Sequence, residues 1–253
     1  MHPPLRLISS LCAATALCSA GAALAQPATE SPWGVGLGTS TKHKAYAGMG
    51  TSTTVIPLIS YENRWVRFAG PLLDIKLPTQ GAVSLTLRAR YAFEDGYEAS
   101  DAPVLSTMAE RKASVWLGAS ALWRSSMADL SAEWLGDASG HSKGQRLRLA
   151  AEKSWRVGQF VLAPRLAVQW HDRKSVDYYY GVRDSEARAG RAAYAGRATT
   201  HTELGLRTAY TLAPQQSVYA DLSATRLGSA VRNSPLVGRS TETALRLGYL
   251  YRF

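Results

Sequence analysis

Much of the chain alternates between apolar and polar residues with period two. This is the mark of extended strands, whose side chains point in turn to opposite faces. The stretch 243–253 reads TALRLGYLYRF: Thr243, Leu245, Leu247, Tyr249, Tyr251 and Phe253 share one face, Ala244, Arg246, Gly248, Leu250 and Arg252 the other. In 82–93, Val83, Leu85, Leu87, Ala89, Tyr91 and Phe93 oppose Ser84, Thr86, Arg88 and Arg90. In 145–155, Leu147, Leu149, Ala151 and Trp155 oppose Arg146, Arg148, Glu152 and Ser154. The stretches 159–171 and 216–226 alternate in the same way. Twelve strands are predicted, at about 33–39, 53–61, 64–69, 72–78, 82–93, 112–123, 127–135, 145–155, 159–171, 200–212, 216–226 and 241–253. Most have the roughly 9–11 residues that a tilted strand needs to cross a bilayer.

The links between strands separate a barrel from a soluble sandwich. After the second, fourth, sixth, eighth and tenth strands they are very short: 62–63, 79–81, 124–126, 156–158 and 213–215. After the first, fifth, seventh, ninth and eleventh they are long: 40–52, 94–111, 136–144, 172–199 and 227–240. Short periplasmic turns and long extracellular loops are the asymmetry of a bacterial outer-membrane barrel. The predicted fold is therefore all-β, a transmembrane antiparallel barrel of about twelve strands with both ends on the short-turn side. Gly70-Pro71, after the third strand, breaks the alternation by being short on the long-loop side. Pro57 and Pro164 fall inside strands. A closed barrel offers no free edge, so each is expected to lose one ladder hydrogen bond at a bulge or strand end.

Residues 1–25 read as a secretory signal peptide, with Arg6, the apolar run Leu7 to Leu24 and the small-x-small site Ala23-Leu24-Ala25. The barrel then occupies 26–253. Cys12 and Cys18 fall in the signal, and Leu11 and Leu17 before them argue against lipidation. The mature chain is thus expected to have neither disulfide nor thiolate metal site. No apolar run after the signal is long enough for a membrane-spanning helix. The net charge of +10 is spread along the chain. Export argues against nucleic acid as its partner and points to lipopolysaccharide phosphates, membrane lipid, anionic solutes or acidic cell-wall material.

Parity sends one set of charges to the lumen: Arg88, Arg90, Arg146, Arg148, Arg165, Arg207 and Arg246, with Glu133, Glu152, Glu203, Asp221 and Glu242 opposing them. Two readings stand. The guanidinium groups line a narrow pore or pocket for anions, or ion pairs and water fill a plugged barrel. The loop 172–199 is long, basic and tyrosine-rich. It is read as a lumen plug, as a binding surface for lipopolysaccharide or glycan, or as a solvated loop. No spacing pairs a histidine with a nucleophile or a metal-ligand partner, and no phosphate loop is present, so neither catalysis nor a metal or cofactor is expected. Trp65, Trp116, Trp123, Trp134, Trp155 and Trp170 are read as interface anchors or barrel packing.

The mature stretch resembles the MipA/OmpV family of outer-membrane proteins, named for the MltA-interacting protein. The resemblance is carried by Trp33-Gly34-Val35-Gly36-Leu37-Gly38 with Tyr46 and Val55-Ile56-Pro57-Leu58-Ile59-Ser60-Tyr61. It continues in Asp177-Tyr178-Tyr179-Tyr180-Gly181-Val182 with Glu186-Ala187, Arg191, Tyr194 and Gly196, and in the ending Leu247 to Phe253. Tyr249, Tyr251 and Phe253 also resemble the signal read by the barrel insertion machinery. The family implies an outer-membrane barrel and a non-enzymatic scaffold that joins a murein-degrading lytic transglycosylase to a murein synthase. No residue-level motif comes with that role. A standard interface covers roughly 800 Å² per partner, and the short-turn side offers only small turns and the leader 26–32. A narrow anion-preferring pore and a surface adhesin acting through the long loops are the other readings.

Overall fold

The computed structural model describes residues 31–253 apart from Gln80. The expected signal peptide and both cysteines lie outside the described residues. The strands are β1 (Trp33–His43), β2 (Thr51–Glu62), β3 (Val66–Ala69), β4 (Leu72–Lys76), β5 (Val83–Tyr91), β6 (Val115–Arg124), β7 (Asp129–Asp137), β8 (Gln145–Glu152), β9 (Trp155–Val157), β10 (Phe160–His171), β11 (Thr199–Ala213), β12 (Gln216–Arg226) and β13 (Thr241–Arg252). β8 and β9 pair with β10 in one unbroken register and form two lengths of a single strand, which makes twelve. Each strand pairs antiparallel with the next. β13 returns to β1 from Gly34↔Arg252 to His43↔Thr243 and closes the barrel.

The alternation sorts as expected. Large apolar residues face out, with Leu206 46 % and Leu245 39 % exposed, while their neighbours Arg207 and Ala244 are buried in the lumen. A continuous outer surface of this kind suits lipid and not water. Trp65, Trp123, Trp134, Trp155 and Trp170 stand on the outside, whereas Trp116 is buried inside. Gly34, Gly36, Gly38 and Ser40 form the lumen face of β1, and the Tyr219 ring of β12 lies across its neighbour β13 at Gly248. A Cβ on Gly248 would sit 2.1 Å from that ring.

Three expectations are corrected. β1 and β2 extend to His43 and Thr51, so the first long link shrinks to 44–50. Pro164 causes no bulge. Its carbonyl accepts from Lys153 N–H at 3.3 Å, but with no N–H to return it interrupts the ladder, and the break between β8 and β9 lies opposite it. The wall does have an unpaired strand side, beside Pro57, because β3 and β4 are only 4 and 5 residues long.

Candidate functional site: the lumen and its cap

Most strands carry charges on their inward face, and closure of the barrel brings many of them to a common level. Arg88 binds both oxygens of Asp74, at 2.7 and 2.8 Å, and also pairs with Glu133. Arg90 reaches Glu133 at 2.8 Å. Arg148 and Arg165 share Glu203, at 3.1 and 2.8 Å, and Gln169 donates to its other oxygen at 2.6 Å. Arg165 also contacts Asp221 at 3.2 Å and Glu152 at 3.6 Å, and Arg207 binds Asp221 at 3.1 Å. Arg246 and Arg146 turn toward the long-loop end, to Glu94 at 3.0 Å and Asp95 at 2.5 Å. All seven arginines assigned to the lumen by parity are there, and each has a carboxylate. The partners Asp74, Glu94 and Asp95 escaped the sequence reading. Asp74 sits in a strand of 5 residues, too short to show a period, and the other two lie in a loop. Glu242 instead pairs with Lys42 at 3.5 Å and accepts from the Ala45 N–H at 3.0 Å.

Above this belt the long loops fold into a cap. The loop 172–198 folds over the long-loop end of the lumen, with Tyr179 and Tyr180 lining the cavity there. It carries helix α1 (Arg173–Tyr180), whose N-cap Asp172 accepts from Ser175 N–H at 2.8 Å. A second short helix, α2 (Ser229–Arg232), lies in the link before β13. The final carbonyls of a helix have no partner within it. Here three other segments supply them. Arg111 Nε donates to the Tyr178 carbonyl at 2.7 Å, the Tyr46 hydroxyl to that of Tyr179 at 3.0 Å, and the Ser234 hydroxyl to that of Tyr180 at 2.6 Å. Around this point Tyr46, Met49, Tyr97, Leu105, Met108, Val182 and Leu236 form an apolar core outside the barrel wall. Tyr46 stacks on Tyr180 with centroids 5.4 Å apart.

The rest of the tyrosine motif is structural in the same sense. Gly181 passes so close to Asp177 that a Cβ would lie 2.3 Å from its carbonyl oxygen. Val182 bridges to Tyr194, whose hydroxyl donates to the Ala230 carbonyl at 2.6 Å. Glu186 receives Arg111 at 2.9 Å, and Arg191 binds the carbonyls of Glu186, Val104 and Ser106. Burial pushes the Glu186 carboxyl up, but Arg111 and the N–H groups of Arg183 and Ala109 outweigh it and hold the group below the usual carboxylate value. Burial likewise raises Asp95, and Arg146 and Lys42 bring it below the usual value. Burial raises the Tyr97 and Tyr179 hydroxyls to about 12.

Belt and cap divide the lumen. One cavity of about 350 Å³ lies between them, floored by Arg165, Glu203 and Asp221 and roofed by Tyr46, Tyr179 and Tyr180. A second, also about 350 Å³, lies on the short-turn side among Arg64, Asp74, Lys76 and Arg124 and shares Glu133 and Arg148 with the first. Among the described residues no group of three or more His, Cys, Asp or Glu is placed to hold a metal. The fold does bring Ser114 and His141 together, at 3.4 Å, a pair that spacing did not reveal. His141 Nδ1 also lies 3.0 Å from the Ala113 carbonyl, so that nitrogen bears the proton and is no base for Ser114. Tyr249, Tyr251 and Phe253 lie at the end of β13, with Tyr251 and Phe253 rings 5.4 Å apart and Phe253 54 % exposed.

Residues 34–253 match the family described as MltA-interacting protein MipA. The chain is 25 % identical over 228 residues to the putative outer membrane protein YiaT of Escherichia coli (strain K12), covering 89 % of this chain and 93 % of that one. It is 26 % identical over 227 residues to the MltA-interacting protein of the same organism, covering 88 % and 91 %. Among solved structures, the NanC porin is similar with a TM-score of 0.44 and 10 % identity, over 87 % of this chain and all of that one. With a closed twelve-stranded barrel, an apolar outer face and a family match over nearly all the described residues, the chain belongs to the MipA family of outer-membrane β-barrels.

Proposed function

We propose that this barrel conducts no solute along its axis and works instead as a membrane-held accessory protein that binds a murein-processing enzyme from the periplasm. The observation that carries the reading is the double closure of the lumen, with Arg88, Arg90, Arg148, Arg165 and Arg207 paired in the belt and Arg146 and Arg246 paired to the cap loops. Paired guanidinium groups leave little field for selecting a passing anion. The long loops are packed on one another, which leaves the adhesin reading without the free loops it needs. The name of the relative points to MltA as its partner; the family resemblance makes the partner class a lytic transglycosylase, with a murein synthase as the second. On the short-turn end Met127 is 84 % and Val157 61 % exposed, both in or beside turns. Apolar side chains so placed suit the centre of a small contact with a polar rim. On the opposite face Arg173, Lys174, Arg183, Arg188 and Arg197 are exposed on the cap and suit lipopolysaccharide phosphates.

The test is binding of the refolded protein, in non-ionic detergent, to a lytic transglycosylase from the same organism, with planar-bilayer conductance measured on the same sample. Saturable binding that Met127→Glu with Val157→Glu weakens about tenfold, and no unitary conductance, are the expected results. Stepwise anion-selective currents without enzyme binding would overturn this reading in favour of the arginine-lined pore.

A further inference from the structure

The barrel wall is not equally tall all round. β2 has 12 residues, but β3 pairs with it only from Ser60 to Glu62. One more bond, from the Gly70 N–H to the Ile59 carbonyl at 3.1 Å, ends the contact. Thr51 to Leu58 have β1 on one side and no strand on the other. The Glu62 N–H bonds to Pro32, on the β1 side, so Ile59 and its odd-numbered neighbours direct their backbone groups to the open side. Pro57 is one of them, and it removes a donor where no acceptor exists. Val55, 60 % exposed, places this stretch in the apolar belt. Ser52 and Thr54, on the inner face, are exposed too, although Leu58 and Ser60 further down are buried.

At membrane depth an unpaired strand side is tolerated where it borders a cavity. The cavity between belt and cap lies behind this one, and Ile56, Leu58, Pro71 and Phe93 are among its lining residues. Its polar side is unusual. Buried N–H groups on three lining residues have no partner in the protein: Trp116 Nε1, His201 Nε2 and Arg90 Nε. Trp116 is 1 % and His201 3 % exposed. His201 Nδ1 accepts from the Gly228 N–H at 3.2 Å, which puts the ring proton on Nε2 and makes it a donor. Buried donors without acceptors are costly unless something fills the role, and a carboxylate or phosphate head supplies several acceptor oxygens at once.

We propose that the gap above the Gly70–Pro71 turn is a side window, through which the cavity takes a single-chain anionic amphiphile from the outer leaflet. The carboxylate or phosphate head accepts from the uncharged donors of Trp116 and His201 and from the unpartnered Nε of Arg90, whose guanidinium already pairs with Glu133, and the chain lies against Ile56, Leu58 and Phe93. A volume of about 350 Å³ is near the small end for ligand pockets and selects short chains. This use of the barrel does not depend on an enzyme partner.

The experiment uses the full refolded protein in phosphatidylcholine nanodiscs, with dodecanoate and dodecyl phosphate as ligands, dodecanol as the chain without a charge, and acetate and inorganic phosphate as the charge without a chain. One saturable site for the charged amphiphiles is expected, with the neutral chain and the bare anions at least tenfold weaker. Trp116→Phe with His201→Leu should weaken dodecanoate at least tenfold, and Trp116→Phe alone gives the same direction if the pair fails to fold. Ile56→Trp, at the window, should slow association at least tenfold. The proposal is overturned by the absence of a saturable site, by bare anions or dodecanol binding as tightly as dodecanoate, or by donor variants that bind it unchanged. An unchanged association rate in Ile56→Trp overturns the route through the wall.

Discussion

The lumen is closed by a belt and by a cap, and different forces hold them. The belt is ionic. Its charges come from β4, β5, β7, β8, β10, β11 and β12, and Arg88 and Arg165 each serve more than one anion. The cap is mainly apolar, and its loops are stitched to the end of α1 by hydrogen bonds from Arg111, Tyr46 and Ser234. A buried ion network gains little over a well-packed apolar core, but removing one member leaves uncompensated charge. An apolar cap loses its parts in smaller steps. The belt should therefore fail as a unit with the barrel, and the cap should loosen locally.

The largest effect is expected at Arg165, which is 4 % exposed and touches Glu152, Glu203 and Asp221. Arg165→Met should cost about 3–5 kcal/mol, read as a lower urea midpoint of the whole barrel in detergent. Arg111→Ala comes next. It strips Glu186 and the Tyr178 carbonyl of their partner at a cost of about 2–3 kcal/mol. Hydrogen exchange across 172–199 should quicken while the barrel's urea midpoint holds. Equal losses of global stability in the two variants would make belt and cap one cooperative unit.

The same ion pair sets a pH dependence. The folded-state pKa of Glu186 lies below its usual value of 4.5, so its contribution is present above 4.5 and is lost as pH falls through the depressed value. Exchange in the cap should thus accelerate under acid conditions in the wild type, and Arg111→Ala should remove most of that acceleration. The smallest effect is expected from Tyr46→Phe. It loses one bond, to the Tyr179 carbonyl, but keeps the contacts with Tyr97 and Tyr180. About 1 kcal/mol is expected, visible in exchange at α1 and not in the barrel's midpoint.

The wall was legible in the sequence to within a few residues, as 216–226 and 241–253 illustrate, because lipid outside and charge inside impose a strict period of two. Seven of the inward arginines were legible for the same reason, while Arg67 on the four-residue β3 and Arg124 at the end of β6 were not. The partners of those seven were legible only where they shared that period, as Glu133, Glu203 and Asp221 do. Glu94 and Asp95 reach Arg246 and Arg146 from a loop. The tyrosine motif stood out in the chain without disclosing its use. Nothing local says that the carbonyls of Tyr178, Tyr179 and Tyr180 meet side chains from three distant segments.

By itself, then, the sequence determined the barrel, its parity and its strand count, since each follows from neighbours along one strand. Tertiary structure alone decided how the lumen is closed and where the wall is low. Charge pairing, the cap and the unpaired side of β2 all depend on which segments meet after the barrel closes, and that is fixed by register and loop packing between residues far apart in the chain.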